Sequence, residues 1–170
     1  MVIIRSHDPA RPGDISAIIE IYGHHVLYGR ASFETEPPTL ADMTGRIGNL
    51  LAGGYPVLVA ELDGAVLGYA YAGPHNARHG YRLTVEDSIY IQPNALRRGI
   101  GHALLQALIT AARDRGYRQM MAVIGDSGNT PSIELHRAHG FCHIGTARGI
   151  GFKFGEFLDV VYMQLALDEQ

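Results

Sequence analysis

The residues best equipped for chemistry fall in three places. The first is Arg97-Arg98-Gly99-Ile100-Gly101, set directly before the helix-favouring run from Ala103 to Ala112. Glycine lacks a Cβ, so its backbone N–H can approach a ligand closely and its φ can turn positive. A helix N-terminus adds unpaired donors and a partial positive charge, and with two arginines the stretch suits a phosphate. The plainer alternative is a helix-leading turn with solvated arginines. The stretch is not the dinucleotide fingerprint, which needs a glycine where Leu104 stands. The second place is Glu86-Asp87 in "TVEDSIYI". A carboxylate there is either functional or an edge-strand charge, and residue type alone favours the solvated edge. The third is His136 in "SIELHRAHGF". An imidazole titrates near neutrality, at about 6.5, but a helix histidine can also simply pack against a sheet, as its neighbour Leu135 would. His136, His139 and His143 together raise the question of a metal. Only the first two share a helix face and no cysteine or second ligand pair accompanies them, so no metal is expected.

These groups need a scaffold, and the patterning supplies one. "VIIRS" reads as a short strand, and Asp14 can cap a helix whose apolar side is Ile15, Ile18, Ile19, Tyr22 and Val26. A second helix starts at Thr39, with Asp42 placed for a capping box and Leu40, Met43, Ile47 and Leu50 facing inward. "YPVLVAEL" and "AVLGYAYAG" flank Asp63-Gly64, a hairpin signal. "TVEDSIYI" is a strand with Val85, Asp87 and Ile89 on one face and Thr84, Glu86, Ser88 and Tyr90 on the other. The glycine loop, a helix ending at Gly116, strand 119–126, helix 131–139 and two tail strands joined by a glycine-rich connection complete the order. The expected fold is α/β (α+β): a mixed central β-sheet flanked by helices in three layers, forming one domain over 1–170 with a strand–helix–strand crossover in the middle.

Composition narrows the partners. At 170 residues and 46% hydrophobic, the chain is long enough to bury a core. A net charge of −3 argues against nucleic acid or an acidic membrane bound through a general basic field. The start "MVIIRSHDPARPGD" has no apolar stretch long enough for a signal peptide and no segment approaches a membrane span, so a cytoplasmic location is expected. The single Cys142, just after Gly140-Phe141, excludes an intrachain disulfide and is expected to pack rather than act as a nucleophile.

Three stretches carry a family resemblance. "SIYIQPNALRRGIGHALLQALI", "MMAVIG" and "NTPSIELHRAHGF" resemble the GNAT-type N-acetyltransferases, in which an R/Q-x-x-G-x-G/A loop cradles the pyrophosphate of acetyl-CoA. "SFETEP", "GYPVLVAELDGAVLGYAYAGP", "TVEDSIYI", "LHRAHGF" and "GFKFGEFLDVVYMQL" narrow it to a likeness to the phosphinothricin and methionine sulfoximine acetyltransferases over nearly the whole chain. One position departs: Leu96 stands where the family's loop opens with Arg or Gln.

The resemblance implies a GNAT fold, a homodimer, acetyl-CoA as co-substrate without a metal, and direct transfer to the α-amino group of a small amino acid or analogue. It places the coenzyme along Ile89, Tyr90 and Ile91, over Arg97, Arg98, Gly99, Ile100, Gly101 and His102, with Asn129 on its arm unless that residue merely caps a helix. Only a free-base amine can attack a thioester, so the site needs a proton acceptor, oxyanion donors and a proton source for the thiolate. Family position favours Glu86 as the acceptor, acting through water, with Asp87 its rival. His136 lies where many members carry a tyrosine that protonates the coenzyme sulfur. A histidine can do the same, since a thiol titrates at about 8.5. The acceptor pocket is expected from Phe33, Asn76, Ala77, Arg78, Tyr81, Asp87 and Ser88, with Arg78 gripping a carboxylate by two hydrogen bonds. Arg46 and Arg82 are left as solvated surface. Other readings are a polyamine or aminoglycoside acetyltransferase, a silent coenzyme-binding protein, or an interaction module whose glycine loop is only structural.

Overall fold

A computed structural model describes residues 1–167. In chain order the elements are β1 (Ile3–Ser6), α1 (Pro12–Tyr28), α2 (Leu40–Ala52), β2 (Val57–Leu62), β3 (Ala65–Pro74) and β4 (Thr84–Ile91). There follow α3 (Ile100–Asp114), β5 (Gln119–Gly125), α4 (Thr130–Ala138), β6 (Cys142–Lys153) and β7 (Glu156–Ala166). The strands form one seven-stranded sheet in the order β1-β2-β3-β4-β5-β7-β6. Every neighbouring pair is antiparallel except β4 and β5, which the α3 crossover joins in parallel.

Two apolar clusters cover the two faces of the sheet. Ile18, Ile21, Val26, Met43 and Ile47 of α1 and α2 pack on Val57, Val59 and Tyr69. On the other face Ile100, Leu104, Leu105 and Leu108 of α3 pack on Ala70, Val85, Met120 and Met163, with Ile133 and Leu135 of α4 alongside. The expected three layers are present.

Local signals held where the determinants are local. Asp63 and Gly64 both take positive φ, 52° and 83°, as a two-residue hairpin turn requires. Thr39 and Asp42 form the reciprocal capping box of α2. Three readings need correction. Asp14 does not cap α1: Arg11 is the cap position and Pro12, with its fixed φ, starts the helix. Asp14 is instead buried and takes two 2.7 Å bonds from Arg5, whose charge and hydrogen bonds hold its carboxyl below the usual range. Leu40 is exposed, outside the cluster that holds Met43 and Ile47. Cys142 is exposed at the start of edge strand β6, paired across from the equally exposed Gln164, rather than packed.

Candidate active site

The register of β4 and β5 opens the sheet. They pair in parallel from Thr84↔Gln119 to Asp87↔Ala122, and no further, although β4 runs on to Ile91 and β5 to Gly125. Beyond Asp87 each strand keeps only its outer partner, β3 or β7. A small cavity of about 50 Å³ lies in the gap, lined by Asp87, Ser88, Ile89, Tyr90, Ile124, Asn129 and His136 among others. It adjoins one of about 700 Å³ that extends along Ile89, Tyr90 and Ile91 to Leu96, Arg97, Gly99, Ile100, Gly101 and His102. Asn129, Ser132, Ala31, Ile89 and Tyr90 line both.

The glycine loop is built for exposed backbone donors. Gly99 is the N-cap of α3 with φ 77°, and Arg97 also lies in the left-handed region, φ 61°, which a non-glycine residue seldom adopts. The first N–H groups of α3 have no partner within the helix. Arg97 and Arg98 are exposed, and no carboxylate pairs with either among the described residues. Gly101 serves a different purpose from Gly99. A Cβ on Gly101 would stand 3.2 Å from Ile91 and 3.3 Å from Leu135, so its missing side chain lets α3 sit close to β4 and α4. His102 is exposed, its Nδ1 3.1 Å from Nε2 of His139. His136 belongs to a different contact, and no cluster of three or more metal-ligating side chains occurs among the described residues.

Pleating sends the two adjacent carboxylates to opposite faces. Glu86 keeps a side chain 36% exposed and meets Nδ1 of His75 at 3.1 Å. Asp87 is buried, with Oδ2 2.9 Å from Nε2 of His136, while Nδ1 of His136 lies 2.7 Å from the carbonyl of Ser132. A carbonyl only accepts, so Nδ1 of His136 carries a proton, and a second proton lies between Nε2 and Asp87. Burial works to lower the His136 pKa, but the charge and hydrogen bond of Asp87 and the Ser132 carbonyl outweigh it and leave it raised. The other oxygen of Asp87, Oδ1, is buried without a hydrogen-bond partner. His136 is therefore neither a solvent-facing base nor simple apolar packing.

The residues expected around the acceptor are dispersed. Neither cavity is lined by Phe33, Asn76, Ala77, Arg78 or Tyr81. Asn76 Oδ1 accepts from the backbone N–H of Arg78 at 3.0 Å, which bends the loop after β3. Ala77 and Arg78 are exposed, and Tyr81 sets its ring edge-on to His75, centroids 6.0 Å apart. Phe33 is half-buried over Gly151, where a Cβ would stand 2.1 Å from its ring. Asn129 caps α4, its side chain accepting from Ser132 N–H at 3.4 Å, and also lines both cavities. Arg46 is not free surface: it grips Glu34 at 2.6 and 3.2 Å, and Glu34 accepts from Tyr22.

Sequence reasoning missed His75, His25 and Lys153. His25 Nε2 donates to the carbonyl of Ile91 at 2.9 Å and lines the larger cavity, and burial lowers its pKa. His75 had one available signal, its place directly after a strand antiparallel to the one carrying Glu86.

Comparison with known proteins places the chain in a family. Residues 19–141 match the Acetyltransferase (GNAT) family. The chain is 48% identical over 158 residues to a phosphinothricin N-acetyltransferase of Alcaligenes faecalis, spanning 93% of this chain and 80% of that protein. It is 41% identical over 167 residues to an L-methionine sulfoximine/L-methionine sulfone acetyltransferase of Salmonella typhimurium, spanning 94% and 93%. The crystal structure of a phosphinothricin acetyltransferase from Sinorhizobium meliloti in complex with AcCoA superposes with a TM-score of 0.94 at 44% identity, covering 99% of this chain and 89% of that one.

Proposed function

This chain belongs to the GNAT acetyltransferase family, and from that premise we propose that it transfers the acetyl group of acetyl-CoA directly to the free α-amino group of a small amino acid or analogue. Phosphinothricin, methionine sulfoximine and methionine sulfone are the acceptors that its relatives' names support. The observation that carries the reading is the parting of β4 from β5 beside a cavity of about 700 Å³ that ends at the Arg97–Gly101 loop. Pyrophosphate lies against the first N–H groups of α3 and the exposed Arg97 and Arg98, and the acyl end reaches into the gap.

Glu86 takes the amine proton, directly or through water. It remains half-exposed on one face with His75 beside it, whereas Asp87 is committed to His136. Once the nitrogen has attacked the carbonyl and the thiolate departs, the proton shared by Asp87 and His136 is the one available at the floor of the gap. Arg78 meets the acceptor carboxylate. Acetylation removes the basic amine of a toxic analogue, which makes detoxification the role of such an activity. The enzyme is one acetyltransferase domain in the cytoplasm, and no helix among the described residues is long and apolar enough to cross a membrane. A homodimer is supported by the exposed Ile150, Phe152, Phe154 and Phe157 of the β6–β7 hairpin. The test is thiol release from acetyl-CoA against a panel of amines. Release with amino-acid-like acceptors and little with polyamines or aminoglycosides is expected; coenzyme binding without release by any amine refutes the enzymatic reading.

A further inference from the structure

Lys153 is the only lysine in the chain and is 3% exposed. A buried ammonium survives only where its donors are satisfied. Two of its three N–H groups bond the carbonyls of Gly29, at 2.8 Å, and Ser32, at 2.6 Å, and the charge lies 5.0 Å from the centre of the Phe154 ring. Gly29 ends α1, where exposed carbonyls favour a cation. Burial lowers the Lys153 pKa, opposed by the charge of Glu34.

The segment it holds, residues 29–34, makes no sheet ladder; apart from the local bonds Gly29 N–H to His25 O and Glu34 N–H to Ser32 Oγ, the bonds that hold it come from residues distant in sequence. A Cβ on Gly125 would stand 2.7 Å from the carbonyl of Arg30 and 2.8 Å from that of Ala31, so the segment lies backbone-on-backbone against the end of β5. Arg30 also pairs with Asp126 and Glu156. From the helical side Tyr22 bonds Ser32 Oγ at 3.0 Å and Glu34 at 2.9 Å. Among the described residues that hold the segment, Lys153 is the one whose side chain bonds its backbone carbonyls. Ala31 lines both cavities and Phe33 rides on the same turn.

We propose that Lys153 is a positioning residue for acceptor recognition: by fixing the carbonyls of Gly29 and Ser32 it holds the 29–34 segment so that Ala31 forms a wall beside the opening between β4 and β5, while the Phe33 ring anchors the same segment on Gly151. This rests on the acetyltransferase reading above. A methionine of similar length would fill the space without burying a charge. What the ammonium adds is direction, two bonds that pin the loop backbone against a hairpin distant in sequence.

The test compares Lys153→Met, which keeps length and loses the donors, with Gly151→Ala, which leaves Lys153 intact and displaces the Phe33 ring. Each is assayed for acceptor KM, kcat, acetyl-CoA affinity by titration, and amide hydrogen exchange at 30–34. The expected result is a rise in acceptor KM of roughly tenfold or more in both, the scale of a small misplacement of a binding wall. Acetyl-CoA affinity should stay within about threefold, because the Arg97–Gly101 loop is untouched. Exchange at 30–34 should quicken in Lys153→Met with α3 unchanged. A folded Lys153→Met with wild-type acceptor KM overturns the proposal, as does an equal loss for acceptor and coenzyme. If Lys153→Met fails to fold, Gly151→Ala decides, and an unchanged acceptor KM there overturns it. If the wild-type protein acetylates no amine, the functional reading fails separately, and unchanged exchange at 30–34 then refutes the positioning role by itself.

Discussion

Replacing Glu86 with glutamine isolates the proton acceptor from its surroundings. The amide keeps the shape of the carboxylate and can still hydrogen-bond His75, now 3.1 Å away, but it cannot take a proton. The side chain is 36% exposed, outside both apolar clusters, so the exchange should cost within about 0.5 kcal/mol of stability. Loss of a general base slows turnover by roughly 10²–10⁴-fold, or about 2.7–5.4 kcal/mol of barrier. Acetyl-CoA affinity should hardly change, since Glu86 lines neither cavity. The assay is continuous thiol release with one acceptor throughout, beside coenzyme titration and a thermal melt of the same preparations. Raising the pH should partly rescue the variant, because the free-amine fraction grows about tenfold per unit below the amine pKa without help from the enzyme. A folded Glu86→Gln with near-normal rate at neutral pH would refute the assignment and shift it to a water chain without a carboxylate.

Arg78→Ala should weaken carboxylate-bearing acceptors by about 1.5–3 kcal/mol and carboxylate-free amines much less; equal losses in KM for the two kinds would remove it from this role. Arg97→Ala with Arg98→Ala should lower acetyl-CoA affinity most at low salt, and titration at two ionic strengths would expose an uncharged mode of binding if the loss does not shrink with salt. Asp87→Asn leaves the buried His136 without its countercharge and should cost about 3–5 kcal/mol near pH 6. Because the folded pKa of His136 is raised, the stability it supplies is full below its unfolded value of about 6.5 and is lost as pH rises through the folded value. Melting curves of wild type and Asp87→Asn should therefore converge above that window, and parallel curves would show that the pair is not coupled.

What the chain's sequence determined by itself was whatever neighbours in the chain decide. Helix periodicity, the Asp63-Gly64 turn, the Thr39–Asp42 box and the face alternation of "TVEDSIYI" rest on residues one to four apart, and each is present. The glycine loop was legible for the same reason, since a left-handed Gly99 and a helix N-terminus are local facts. Alternation separated Glu86 from Asp87, but it could not say which faced a partner. That came from packing: Asp87 meets a histidine 49 positions on, and Glu86 one 11 positions back. Arg46 looked like surface because its partner sits on a loop, and Asp14 looked like a cap because its partner, Arg5, is on β1 rather than in its own helix. Lys153 reaches carbonyls more than 120 positions away. A buried charge is tolerated only where the fold brings acceptors to it, and no spacing rule encodes which loop will arrive. The parting of β4 from β5 is likewise tertiary, because each strand could pair further and does not.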